Sequence, residues 1–333
     1  MLPAQGDPPE AASAPDHAYP VQDNLREGES GHGYVLRMAG ENGLLGLPSV
    51  KARLGKSRFA VLDMLDAPLL GRWFGADSAR LARALGMTTT GSEPDGYEFG
   101  GAVLTRSYFI NRGLPRICGD CLATSGNCKI AWELSACCAC PEHELALIDC
   151  CGTCQKALRW DRPGLNECRC GYALTICAGR GVATPEELDV AKWVEDKLTA
   201  SSCPGVATTL GRLLRPLSLD AGLHVLQALA SMHDAHGARS LTAAMRRKNS
   251  LVCARSGIAA AARALALLDS GATDLLQRGA STAAIELLAE AASSEYSPAD
   301  RSLAFSLLAE LVRRPRHARW SSRFPQLSQR SLF

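Results

Sequence analysis

Cys118-Gly-Asp-Cys121, Cys140-Pro-Glu-His143, Cys151-Gly-Thr-Cys154 and Cys168-Arg-Cys170-Gly171 set the reading of this chain. These are four two-ligand corners, enough for two four-coordinate sites. A Cys-x2-Cys turn points two sulfurs at one ion, and a closed shell of thiolate and imidazole is the usual structural environment of zinc. Two zinc ions are therefore expected. An iron–sulfur cluster is the alternative use of such corners, but His143 and the Cys-x-Cys-Gly corner favour zinc. Of the fourteen cysteines, all but Cys203 and Cys253 lie between Cys118 and Cys177. Cys128, Cys177, Cys203 and Cys253 read as small apolar residues. Two choices stay open on spacing alone. Cys137 makes a Cys-x2-Cys pair with Cys140 that leaves His143 outside, and Cys150 stands beside Cys151.

A disulfide framework does not suit a chain of this length with no signal peptide. Met1 to Pro20 holds five prolines, no Lys or Arg, and no apolar core of a leader. It reads as a disordered tail, and the chain as cytoplasmic. Catalytic zinc is disfavoured. His143-Glu144 lacks the second histidine of an H-E-x-x-H helix, and the deaminase pattern is missing. No catalytic residue is assigned, and no G-x-x-x-x-G-K-[ST] phosphate loop is present.

Outward from the cysteines, the chain reads as mainly α in three parts behind the 1–20 tail. Residues 21–110 form a helical N-terminal domain, 111–178 a double zinc-finger or zinc-ribbon module, and 179–333 a helical C-terminal domain. Pro68 suits the first turn of a helix that Gly75 ends, and Asp77 or Ser78 caps a second helix closed by Gly86. This pair is compatible with a helix-turn-helix, and equally with two packed core helices. Thr184-Pro185-Glu186-Glu187 is a capping box, and Ser297-Pro298-Ala299-Asp300 repeats its logic before a helix that Pro315 ends. The Ala-rich run Ile258 to Leu268 is helical, and with Arg263 inside it is too short and too charged to cross a membrane.

Charge is balanced in residues 21–110, with ten basic and ten acidic side chains, and in 111–178, with seven of each. Residues 301–333 carry seven arginines (Arg301, Arg313, Arg314, Arg316, Arg319, Arg323, Arg330) against Glu310 alone. A phosphate-binding footprint is expected at this end, with Arg246-Arg247-Lys248 as a smaller candidate.

These residues also carry a family likeness. Arg116-Ile-Cys118-Gly-Asp-Cys121-Leu, Trp132, Cys140-Pro-Glu-His143-Glu-Leu-Ala-Leu-Ile, Cys151-x2-Cys154, Leu158-Arg159-Trp160 and Cys168-Arg-Cys170-Gly171-Tyr-Ala-Leu resemble the zinc-finger core of the TniQ family, relatives of the target selector TnsD. Glu29-Ser30, Gly33-Tyr34-Val-Leu-Arg37-Met-Ala and Asn42-Gly43 resemble its opening helix, and Phe99-Gly-Gly-Ala-Val-Leu the segment before the first cysteine pair. The resemblance covers roughly residues 21–178. It selects Cys118, Cys121, Cys140 and His143 for the first zinc, and Cys151, Cys154, Cys168 and Cys170 for the second. Departures are Gly119 and Gly152 where the family usually has Pro, and Gln155 where it usually has Gly. The resemblance implies a non-enzymatic transposon accessory protein in target-site selection. Its implied partners are DNA, an AAA+ ATPase regulator, the transposase and, in some elements, an RNA-guided complex. A homodimer is also compatible. The competing reading is a zinc-ribbon transcription regulator with no role in transposition.

Overall fold

The computed structural model describes residues 17–89, 96–176, 181–199, 205–232, 250–272, 282–293 and 296–312. The chain is mainly α, about 52% helical, with few strands. Six of the seven C-terminal arginines, Arg246-Arg247-Lys248, Cys177 and Cys203 lie outside the described residues.

The first helix, α1 (Gly31–Glu41), starts where the Ser30 hydroxyl accepts from the Gly33 amide. It is buried on nearly every side because other elements close around it. A Cβ on Gly33 would stand 2.9 Å from the Cβ of Cys128, so the helix backbone lies directly on the segment that leads to Trp132. Its one basic residue besides His32, Arg37, is only 5% exposed. Arg37 donates twice to Glu29, at 2.9 Å each, and once to Asp23 at 2.7 Å, so a buried charge is matched in fork geometry.

Helix α2 (Gly46–Arg53) follows, and then the pair α3 (Ala67–Phe74) and α4 (Ser78–Leu85). The pair forms as its capping residues dictate. Pro68 sits in the first turn of α3, Gly75 takes the left-handed cap at φ 88°, and the Asp77 carboxylate accepts from the Arg80 amide at 2.8 Å. Ahead of the pair, Tyr19 stacks on Phe74 with ring centroids 5.2 Å apart.

A small sheet was not foreseen from the sequence. Strands β1 (Met87–Thr89), β2 (Gly96–Phe99) and β3 (Ala102–Leu104) pair antiparallel in that order. Their three or four residues are too few for alternation to register. The decisive sign is Gly100-Gly101, both at positive φ, which makes a two-residue hairpin turn between Phe99 and Ala102. The Phe99-Gly-Gly-Ala-Val-Leu segment is thus a hairpin.

The cysteine-rich part contributes α5 (Gly119–Thr124) and the two-stranded β4 (Ala139–Cys140) and β5 (Leu145–Ala146). Beyond it, α6 (Pro185–Thr199) opens on the expected capping box. The Thr184 amide donates to the Glu187 carboxylate at 3.0 Å, and the Glu187 amide to the Thr184 hydroxyl at 3.3 Å. Helix α6 packs on β4 and on the 3-10 turn Ile130–Glu133 through one face, and on the later helices through others. These are α7 (Thr209–Leu214), α8 (Leu219–Ser231), α9 (Leu251–Asp269), α10 (Thr282–Ala291) and α11 (Pro298–Val312), with α8 between α9 and α10.

Helix α9 begins seven residues before the Ala-rich run, because Ser250 caps it. At 19 residues and a mean hydropathy of 1.6, it is long and apolar enough to cross a membrane by length and composition. It packs on its neighbours through one face only, with about 28% of it buried. Ile258, Ala261, Ala264 and Leu265 are buried, and Arg255 pairs with Glu187 of α6 at 2.6 Å.

Helices α8 and α10 are tied to the hairpin by a polar chain. The Thr105 amide and hydroxyl donate to Asp220 at 3.0 and 2.9 Å, and His224 lies 3.1 Å from Glu290, which also receives Arg106. Burial works against charge on Glu290, but hydrogen bonds from His224 and Arg106 outweigh it and hold the carboxyl below its ordinary range. The main apolar core runs from Leu25 to Leu311, with a small second cluster at Ala291, Ala292 and Ala304.

Candidate metal centres

Two groups of four side chains offer one donor atom each, all within 4.8 Å of one another. They are Cys118, Cys121, Cys140 and His143, and Cys151, Cys154, Cys168 and Cys170.

In the first group, Cys118 is the residue before α5 and Cys121 lies in its first turn, so one helical turn sets both sulfurs on one side. Cys140 ends β4, and His143 sits in the turn to β5 that the Cys140–Leu145 pairing closes. His143 Nδ1 lies 3.6 Å from Cys118 Sγ, 3.3 Å from Cys121 Sγ and 3.6 Å from Cys140 Sγ, and the last two sulfurs are 3.5 Å apart. A tetrahedron with Zn–S near 2.3 Å and Zn–N near 2.0–2.1 Å has S···S edges of about 3.8 Å and S···N edges of about 3.6 Å. The donor set fits the ion.

Three thiols this close cannot all ionise on their own. Hydrogen bonds from Cys121 and Cys140 hold Cys118 well below the ordinary thiol range, while the same contacts with Cys118 push Cys121 and Cys140 above it. A divalent cation removes that conflict, since each sulfur then faces positive charge. Around the cluster, Lys129 sits 3.2 Å from Glu142 and 3.5 Å from Glu195. Burial opposes its charge, but the two carboxylates outweigh burial and hold the ammonium above the ordinary lysine range. That places a fixed cation beside a shell of three thiolates.

The second group is built from two backbone knuckles. In the first, the Gln155 amide returns to the Cys151 carbonyl at 3.0 Å, and in the second the Gly171 amide returns to Cys168 at 2.9 Å. Cys151 and Cys170 sulfurs are 3.7 Å apart, and those of Cys154 and Cys168 are 3.9 Å apart. These too match S···S edges about a zinc ion. Burial opposes ionisation of Cys151, but the amides of Cys154 and Thr153 aimed at its sulfur bring it to about 7. Gln155, where a glycine is the family habit, stands at φ 56°, which is the backbone reason for that habit.

The two choices left open by spacing have separate geometries. Cys137 is fully buried, its sulfur 3.7 Å from the Ala139 carbonyl, and burial pushes its thiol far up. Cys150 is exposed and takes no part in either group. Cys128 is buried and Cys253 half-buried.

Sequence reasoning missed what holds the second group in place. Trp160 is 5% exposed and stacks on His32 of α1 at 5.6 Å, and His32 Nδ1 lies 3.2 Å from Glu133. Arg162, 2% exposed, sits over the Trp160 ring and gives its guanidinium protons to the carbonyls of Arg159, Gly164 and Leu165. No pattern announces a buried arginine whose acceptors are main-chain carbonyls of its own loop.

Residues 20–147 match the TniQ family. The chain carries a TniQ domain. No curated protein matches the chain. The TniQ domain takes in α1 to β5, the whole of the first donor group and the helix pair α3–α4. The match ends before Cys151, and the second group packs against the matched residues through contacts such as Trp160 on His32.

Proposed function

We propose that this chain is a non-enzymatic, zinc-stabilised accessory factor of transposition. In this reading it takes part in choosing the target site and links target DNA, or a guide complex, to an AAA+ ATPase and a transposase in the cytoplasm. The observation that carries the reading is a TniQ domain built around a closed three-sulfur, one-nitrogen donor set. Cys118, Cys121, Cys140 and His143 would hold one zinc, and Cys151, Cys154, Cys168 and Cys170 the other. The ions would supply rigidity rather than chemistry, because four protein donors complete each shell and leave no position for a reacting water.

The helix pair α3–α4 is the proposed DNA-contacting element, and the C-terminal helices the proposed docking side for protein partners. The three-part division at 21–110, 111–178 and 179–333 is then one of function, since a common core runs through all three parts. Pull-down of the neighbouring ATPase with the full chain, with and without DNA, tests the reading. Retention that DNA strengthens is the expected result. No association under either condition, together with specific occupancy of a promoter, points to a transcription regulator instead. The genes beside this one give a cheaper check, since a transposase and an ATPase gene are expected there.

A further inference from the structure

Helix α4 carries Arg80 and Arg83, three residues apart and so on the same face. Both line a surface notch of about 250 Å³ together with Arg26, Gly28, Gly100 and Leu198. Three separate parts of the chain meet there, and the meeting is tight. The Gly100 amide donates to the Arg83 carbonyl at 2.9 Å, and a Cβ on Gly100 would come within 2.5 Å of Leu198 of α6. The walls of the notch are therefore fixed by the hairpin, α4 and α6 rather than by one loop.

The guanidinium groups differ in what they already do. Arg26 gives a proton to the Ser125 carbonyl and lies 3.8 Å from Asp23. Among the described residues, the side chains of Arg80 and Arg83 have no acceptor. Of the acids lining the notch, Glu29 is bound by two nitrogens of Arg37, and Glu27 is exposed with no partner among the described residues. Two forks without acceptors, beside a third that is half used, are what a phosphodiester oxygen pair takes up.

We propose that Arg26, Arg80 and Arg83 form a phosphate-binding notch on the TniQ domain that grips the backbone of duplex DNA. It rests on the DNA-contacting reading above and adds a division of labour. This end of α4 positions the duplex without reading its sequence, since phosphate contacts fix register and carry no base information. Recognition of bases then belongs to other residues.

The test uses the full-length, zinc-loaded protein and a short mixed-sequence duplex, with affinity measured over a series of salt concentrations. Each phosphate contact contributes about 0.9 to the log–log salt slope, so Arg80→Ala with Arg83→Ala lowers the slope by about 1.8. The pair Arg80→Lys and Arg83→Lys retains most of it. Arg83→Glu, at an exposed position, serves if the double variant fails to fold, and is expected to lower the slope by more than Arg83→Ala. Arg58→Ala, away from the notch, leaves the slope alone. A wild-type slope in the alanine pair, with zinc content and circular dichroism intact, overturns the notch while leaving DNA binding itself in place. A wild-type protein that binds no duplex overturns both.

Discussion

The two donor groups share a chemistry and differ in how the rest of the molecule uses them. Cys118, Cys121 and Cys140 are buried, and the β4–β5 hairpin that presents Cys140 and His143 lies under α6. In the second group Cys151 and Cys168 are buried and belong to the same core, while Cys154 is half-buried and Cys170 exposed. Both groups share the core, but only the second reaches the surface, through Cys154 and Cys170. The first is therefore expected to govern whether the TniQ domain folds, and the more exposed second group mainly whether residues 150–176 keep their shape.

The strongest way to break that comparison is Cys118→Ser. A structural zinc contributes on the order of 10 kcal/mol in small metal modules, as much as the whole stability of an ordinary domain. The variant should hold one zinc in place of two and lose its cooperative melting transition. A variant that keeps both ions and its melting temperature would sink the assignment of Cys118. Cys137→Ser is the control, since its sulfur faces the Ala139 carbonyl, and it should retain both metals.

Cys168→Ser should be milder for the molecule as a whole. It loses its own zinc, while the core that runs from Leu25 to Leu311 keeps its near-ultraviolet signal and its melting transition. Faster amide exchange should be confined to residues 150–176. Chelator should also strip the wild-type protein in two phases, the exposed group first, and Cys168→Ser should lack the fast phase. Simultaneous release of both ions would mean the groups are not independent. Cys150→Ser, exposed and outside the group, should leave both phases as they are.

How much of this was legible in the sequence follows from the reach of each interaction. Donor spacing is dictated by the size of an ion, so the eight residues that the structure brings into two groups stand out as four short corners. Caps are equally local, and Gly75, Asp77, Gly86 and Thr184 mark helix ends where the chain has them. The β1–β3 sheet was illegible because its strands are too short to show a period. Arg37 and Arg162 were illegible for a different reason. A charged residue in sequence looks solvated, and only the folded chain shows that Glu29 or a row of carbonyls satisfies it. The Trp160–His32 contact joins residues 128 positions apart, by subtraction of their numbers, and no local pattern encodes it.

That contact gives the next test. Trp160→Ala removes a buried ring between the second knuckles and α1, which costs about 3–5 kcal/mol for a large aromatic. If the second group is docked rather than built in, the variant should keep two zinc ions while its loop loses protection and its melting temperature falls. Loss of the second zinc in this variant would show instead that the dock and the site form as one unit.

The smallest effect compares the two turns that follow a metal corner. Glu144 after His143 and Gln155 after Cys154 both sit in the left-handed region, at φ 54° and 56°. For a residue with a Cβ this conformation costs about 1–2 kcal/mol. Glycine removes the strain, and part of the gain is returned because a glycine loses more backbone freedom on folding. Glu144 uses its main-chain carbonyl to accept from Ala183 at 3.1 Å, a bond that any residue can make. Gln155 uses its side chain, whose amide donates to the Gly152 carbonyl at 2.7 Å, and a net hydrogen bond is worth about 0.5–1.5 kcal/mol. Glu144→Gly should therefore stabilise the zinc-loaded protein by about 0.5–1 kcal/mol, and Gln155→Gly by close to nothing. Denaturant titration of the two single variants decides it. A larger gain from Gln155→Gly would mean that its side-chain bond contributes less than the strain it accompanies, and that the second knuckle is the more strained of the two.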